Sequence, residues 1–168
     1  ILFAITTQGI GYKGISAFLV EKGWEGFEPG KPENKLGIRS SDTSELYFDN
    51  VKIPIFNRIG KEGQGFNIAL ATLDGGRIGI ASQALGIAQA SLDASIAYSK
   101  ERIQFGKPIS TQQAIQFKIA DMAMEIEASR LLIHKAAMMK DSGKEYGHMA
   151  SMAKVFASEV AMRASTNC

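Results

Sequence analysis

Cysteine is nearly absent from this sequence. Only Cys168, the last residue, carries a thiol. That excludes an internal disulfide framework and a cysteine-based zinc centre, and it fits a reducing compartment. No apolar run reaches the ~18–20 residues that span a bilayer, so no membrane insertion is expected. No Asn-x-Ser/Thr acceptor is present. An excess of one charge is lacking as well: 19 Lys and Arg stand against 17 Asp and Glu, interleaved along the chain, for a net +2. No nucleic-acid partner is expected from that balance. Compact catalytic motifs are missing too. There is no nucleophile elbow, no Walker A loop and no Cys/His pair, and His134 and His148 stand apart, so no metal site is expected. What remains is 45% hydrophobic and 21% charged, an ordinary globular composition.

The pattern changes near residue 60. Before it, "ILFAITT", "GISAFLVEK" and "SELYFDNVKIP" read as short β-branched and aromatic strands. The stretches "QGIGYKG" and "GWEGFEPGKPENKLG" between them read as turns. "GKEGQG" lacks the spacing and the Lys-Ser/Thr of a phosphate loop and reads as a linker. Beyond it, Phe66 to Arg102 contains no proline, and Ile80, Leu85, Ala88, Leu92 and Ile96 recur at helical steps. Gly75-Gly76 marks a kink or a close contact in that helix. A second helix fits residues 111–143, with Ser110 or Thr111 as N-cap and Gly143 at the C-cap. It bears two apolar stripes, Ile115–Ile119–Met122–Ile126 and Phe117–Met124–Ala128–Leu131, a pattern of burial on both sides. A third helix starts near Gly147, with Met149, Met152, Phe156 and Val160 on one face. The expected fold is α+β, a β region followed by an antiparallel helical bundle. The sequence opens on the apolar Ile1–Ile5 run without an initiator Met and closes on "AMRASTNC" inside a helical pattern. The expectation is an internal piece of a longer protein.

Two stretches carry candidate chemistry. In Asp74-Gly75-Gly76-Arg77 the acid and base are three residues apart and pair on a helix face. The glycines between them leave backbone accessible to a long polar ligand. In "ERIQFGKPIS" Arg102 ends a helix, where a cation complements the dipole. Phe105 could staple the turn, which Gly106 and Pro108 shape. Alternatively a rigid turn projects Arg102 as a forked donor to an anion, with Phe105 beside a flat ring. The residues alone leave both alternatives open.

"LDGGRIGIASQALGIAQASLDASIAYSKERIQFGKPIS" closely resembles the acyl-CoA dehydrogenases. "KGISAFLVEKG", "GKPENKLGIRSSDTSELYFDNVKIP", "GKEGQGF" and "SMAKVFASEVA" follow in family order, so the resemblance covers essentially the whole chain. "GYKGI" and "GKPENKLGIRSS" look most like the short/branched-chain members, which act on 2-methylacyl-CoA; the butyryl-type short-chain members are nearly as similar. The resemblance implies an FAD enzyme that converts an acyl-CoA to the trans-2-enoyl-CoA. A glutamate takes the α proton, the β hydride passes to flavin N5, and electrons go on to electron-transfer flavoprotein. It implies a homotetramer, a dimer of dimers, in the mitochondrial matrix if eukaryotic and in the cytoplasm if bacterial. Residues 1–59 would be the latter part of the middle β domain and 60–168 most of the C-terminal helical domain. By the same resemblance Arg102 contacts the FAD pyrophosphate across a subunit interface. Gln113 is another FAD contact, and Gln104 and Phe105 lie near the adenosine half. Asp74, Gly75, Gly76 and Arg77 match the substrate-contacting segment, Tyr12 a CoA contact, and Phe66 a residue lining the thioester and acyl site. No catalytic base is present. The family's Y-E-G-T glutamate would lie beyond Cys168, and Gly76 occupies the alternative position before the arginine. The chain alone is therefore expected to be inactive and to bind FAD weakly. A truncated member serving assembly or CoA binding, and an acyl-CoA oxidase, are the competing expectations.

Overall fold

The computed structural model describes residues 1–168 and resolves them into two compact units, Ile1–Leu70 and Ala71–Cys168.

The first unit is built from short strands. β1 (Leu2–Ile5) pairs antiparallel with β2 (Ile15–Phe18), setting Ala4 opposite Ser16 and Ile5 opposite Ile15. β3 (Phe27–Pro29) and β4 (Leu46–Phe48) form a separate ladder, closed by stacked Phe27 and Phe48 rings 4.8 Å apart. β5 (Arg58–Ile59) adds to the free edge of β2 and completes a β1-β2-β5 sheet. The strands expected from "ILFAITT", "GISAFLVEK" and "SELYFDNVKIP" are present as β1, β2 and β4. β3 lies inside the stretch read as turns, because it ends in Pro29 and is bracketed by Gly26 and Gly30. The buried centre of this unit is small: Ser16, Ala17 and Asn57. Asn57 donates from Nδ2 to the Leu19 carbonyl at 3.0 Å and accepts the Leu19 amide on its own carbonyl at 2.8 Å.

Helix α1 (Gly65–Glu101) begins in this unit and runs on through 37 residues. Of the two expectations at Gly75-Gly76, a kink or a close contact, the helix runs unbroken through both glycines and Gly75 lies against Lys140 Nζ. In the second unit α1 is followed by a small hairpin, β6 (Ile103–Gln104) and β7 (Lys107–Pro108), then α2 (Gln113–Asp141) and α3 (Gly147–Asn167). The helices run antiparallel. Gly75 lies against Lys140 while Gln89 meets Arg130, and Met149 clusters with Ala136 while Arg163 meets Glu125. Alanines make this core. Ala81, Ala84 and Ala88 of α1 and Ala153, Ala157 and Ala164 of α3 are buried with Leu92, Met122, Ile126, Ile133 and Val160. Small side chains let the helix backbones approach closely, and burying each of the larger aliphatics contributes ~1.5–3 kcal/mol.

Several expectations change here. Of the α2 stripes, Met122 and Ile126 are buried and Ile119 packs on the core. Phe117, Met124 and Leu131 are exposed, because neither α1 nor α3 covers that side. Ile80 and Met152 also face outward; the α1 core stripe runs instead through Ile78, Ala81, Leu85, Ala88, Leu92 and Ile96. Neither Ser110 nor Thr111 caps α2. Residues Ile109–Thr111 form a 3-10 turn, the Thr111 hydroxyl donates to the Pro108 carbonyl at 2.8 Å, and Gln112 takes the cap position with no side-chain bond. Gly143 does follow the α2 C-cap: its amide donates to Lys140 and that of Lys144 to Met139, a Schellman closure.

Candidate functional site

The first cluster is an aromatic pair. Tyr12 sits in a 3-10 turn (Gly11–Gly14) and Phe66 in the first turn of α1, and their rings meet with centroids 5.1 Å apart at 45°. Both rings are part-exposed, so the pair forms an apolar, aromatic surface with one phenol. The "GKEGQG" segment read as a linker is what docks them. Gly63 has φ +77, and a Cβ there would lie 2.5 Å from the Lys13 carbonyl oxygen. A Cβ on Gly65 would lie 2.7 Å from the Ser16 carbonyl carbon. No larger residue allows α1 to start this close to β2. The Gly63 amide donates to Ser16 Oγ at 2.9 Å, tying the loop to the sheet.

The second cluster is Asp74–Arg77. Arg77 donates to Asp74 in an i,i+3 ion pair on α1. The two glycines between them are not equivalent, since neighbours on a helix point about 100° apart. A Cβ at Gly75 would stand 3.3 Å from Lys140 Nζ and 3.9 Å from the Tyr146 hydroxyl, whereas one at Gly76 meets nothing within 4 Å. Asp74 lies against Gly147, where its carboxylate faces the positive end of α3. The Lys140, Tyr146 and Gly147 side of this cluster gave no signal in the sequence, because those residues lie one and two elements away along the chain. Gly76 offers no carboxylate and its place is open.

The third cluster is the turn between α1 and α2. It is a two-residue β-hairpin: Phe105 has φ +54 and Gly106 φ +80, the geometry of a type I′ turn. Gly suits that geometry and Phe does not, and Phe105 is 91% exposed, so neither packing nor propensity accounts for the ring. Stapling of the turn by Phe105 is thereby excluded. Arg102 follows directly on α1, its amide donating to the Tyr98 carbonyl at 2.9 Å. With the Gln104 amide turned to satisfy its neighbours, its oxygen accepts from Arg102 Nη2 at 2.7 Å and from Nε at 3.3 Å. No carboxylate pairs with Arg102. Gln113 opens α2, whose first turn has no acidic residue and no side-chain cap; of its leading amides, that of Ile115 donates to the Gln112 carbonyl at 3.0 Å.

That donor set fits FAD. A forked cation free of acids and an uncapped helix start suit a diphosphate, and an exposed ring suits a planar heterocycle. No group of three or more His, Cys, Asp and Glu side chains is placed to hold a metal ion. No helix is long and apolar enough to cross a membrane.

The hairpin, the ion-paired glycine segment and the alanine-rich helices sit inside a recognised unit: residues 63–168 match the acyl-CoA dehydrogenase C-terminal domain, and the chain belongs to the acyl-CoA dehydrogenase family. Members of that family are FAD flavoproteins. The short-chain specific acyl-CoA dehydrogenase of Megasphaera elsdenii is 54% identical over 166 residues, 99% of this chain and 43% of the relative. The solved butyryl-CoA dehydrogenase from the same organism superposes with a TM-score of 0.95 over 98% of this chain. A chain from structural work on the electron transferring flavoprotein of Acidaminococcus fermentans is 56% identical, with a TM-score of 0.96 over 98% of this chain and 43% of its own length. This chain thus spans less than half the length of the relatives it matches.

Proposed function

We propose that the protein carrying this chain is an FAD-dependent dehydrogenase of short or short/branched acyl-CoA thioesters, giving the trans-2-enoyl-CoA and passing electrons to electron-transfer flavoprotein. In this reading residues 1–59 belong to the middle β domain and 60–168 to the C-terminal helical domain of a homotetramer. Its compartment would be the mitochondrial matrix or the bacterial cytoplasm, according to source. The observation that carries it is the hairpin, where an acid-free Arg102 and a strained, exposed Phe105 have no purpose within the chain's own packing. Arg102 and the start of α2 at Gln113 would hold the diphosphate, with Gln104 steadying the guanidinium, and Phe105 would stack toward the adenosine half. Tyr12 and Phe66 line the path of the CoA thioester, and Asp74–Arg77 contacts its polar length. When bound, FAD supplies the acceptor for the β hydride. The α proton requires a carboxylate that these 168 residues do not place at Gly76, so the chain alone is inactive.

The test is an intact mass and a visible spectrum on protein purified from its source. Flavin bands that bleach with butyryl-CoA or 2-methylbutyryl-CoA support the reading, and the relative extent ranks the two substrates. A colourless 18.1 kDa species unable to take up FAD would contradict it and favour the assembly or CoA-binding role. Peroxide release in air would favour the oxidase.

A further inference from the structure

Ser16 is fully buried, polar, and unused by the chemistry above. Its Oγ accepts the Gly63 amide at 2.9 Å and lies 2.8 Å from Thr6 Oγ1, which in turn lies 3.3 Å from the Gly14 carbonyl. One direction satisfies every group: Gly63 N–H donates to Ser16, Ser16 O–H to Thr6, and Thr6 O–H to Gly14. The chain's two ends are informative. Gly63 stands three residues before Phe66, and Gly14 closes the 3-10 turn that holds Tyr12. The same three segments are jammed together by close backbone contacts: Gly14 on Thr7, Gly63 on Lys13 and Gly65 on Ser16. We infer that Ser16 is a positioning residue: the hydrogen-bond chain through its hydroxyl and Thr6 fixes the Tyr12 ring against the Phe66 ring and so shapes the acyl-CoA contact. The functional half of this statement rests on the reading of that ring pair as a substrate contact.

The buried Ser16 hydroxyl, bonded to the hydroxyl of the exposed Thr6, is directional in a way that apolar packing is not. Removing the Ser16 hydroxyl takes the acceptor from the half-buried Gly63 amide, removing that of Thr6 takes the acceptor from the buried Ser16 hydroxyl, and either change frees the loop before α1 to shift relative to the 3-10 turn. A shift of about an ångström at a substrate-contacting pair weakens recognition by an order of magnitude or more.

The experiment uses the whole protein proposed above, with Tyr and Phe labelled for NMR, and reads ring-to-ring NOEs between Tyr12 and Phe66 together with shift changes on titrating butyryl-CoA. Ser16→Ala and Thr6→Val are each expected to lose the NOEs and to weaken butyryl-CoA binding about tenfold. Thr6→Ser, which keeps the hydroxyl, should retain both. Far-UV circular dichroism reports whether each variant is folded. Should Ser16→Ala fail to fold, Thr6→Val decides. A folded Ser16→Ala or Thr6→Val variant with intact NOEs overturns the proposal, and so does one that loses the NOEs while binding butyryl-CoA as tightly as the parent protein. If the variants lose the NOEs but the parent protein does not bind butyryl-CoA, the substrate reading falls and the control of the ring pair by Ser16 stands.

Discussion

Tyr12 and Phe66 lie ring against ring, 5.1 Å between centroids, one within a 3-10 turn and the other at the start of the longest helix. Their meeting depends on glycines that contribute no side chain of their own. Gly63 and Gly65 let the chain pass against Lys13 and Ser16 at distances no Cβ tolerates.

Gly65→Ala should therefore destabilise the first unit by roughly 1–3 kcal/mol, the range for overpacking at a tight contact. The Cβ would meet backbone, which cannot swing aside as a flexible side chain can. Urea unfolding followed by Trp24 fluorescence measures it. An unchanged midpoint would show that α1 can begin further from β2.

Gly75 and Gly76 should respond differently to the same substitution. Gly76→Ala gains helix propensity with open space around the methyl, and should stabilise by up to ~1 kcal/mol. Gly75→Ala gains less, since its methyl must displace the Lys140 ammonium group from 3.3 Å. Thermal unfolding followed by far-UV circular dichroism separates the two. Equal gains would show that Lys140 is free to move away.

Phe105→Asn should stabilise the isolated chain while weakening the flavoprotein. Asn-Gly is the preferred type I′ pair, and relieving an aromatic residue from φ +54 is worth ~1 kcal/mol. In the flavoprotein proposed above the same change would remove the ring proposed to stack toward the adenosine half, and FAD should leave more readily on dilution or in mild denaturant. A variant that is both more stable and equally retentive of flavin would remove Phe105 from the cofactor contact.

Ala157→Leu probes the small-residue core. Ala157 is fully buried among Ala, Ile and Val, so two added branches force α3 away from its neighbours and cost about 1–3 kcal/mol. Arg163→Ala, which removes the part-exposed contacts to Glu125 and Glu159, should cost less than ~1 kcal/mol. Chemical denaturation ranks the two, and the reverse order would mean that charge rather than packing joins α2 to α3.

Much of the architecture was legible in the residues because period carries it. The proline-free run from Phe66, the Ile119–Met122–Ile126 stripe and the glycine after Asp141 placed the helices and one cap. The shortest elements escaped for the same reason: β5, β6 and β7 hold two residues each, too few for any period. The outward faces of Phe117, Met124 and Leu131 show the limit of reading burial from hydrophobicity, since a stripe does not say which neighbour covers it. In the site, the identities of Arg102, Phe105 and Asp74–Arg77 were visible, but their environments were not. The Lys140 beside Gly75 and the Ser16–Gly63 link arise from contacts between segments far apart in sequence, and the left-handed Phe105 from a hairpin too short to show a period. The glycines of "GKEGQG" carry a close approach, but in the sequence the segment reads as a linker.

The most direct test replaces the matching stretch of the Megasphaera elsdenii short-chain acyl-CoA dehydrogenase, 54% identical over 166 residues, with this sequence and records the visible spectrum as butyryl-CoA is added without oxygen. The account predicts a yellow protein whose flavin bands bleach with butyryl-CoA, and which loses bound FAD when Arg102 is changed to Ala. A folded, colourless chimera, or one whose flavin is indifferent to Arg102, would contradict it.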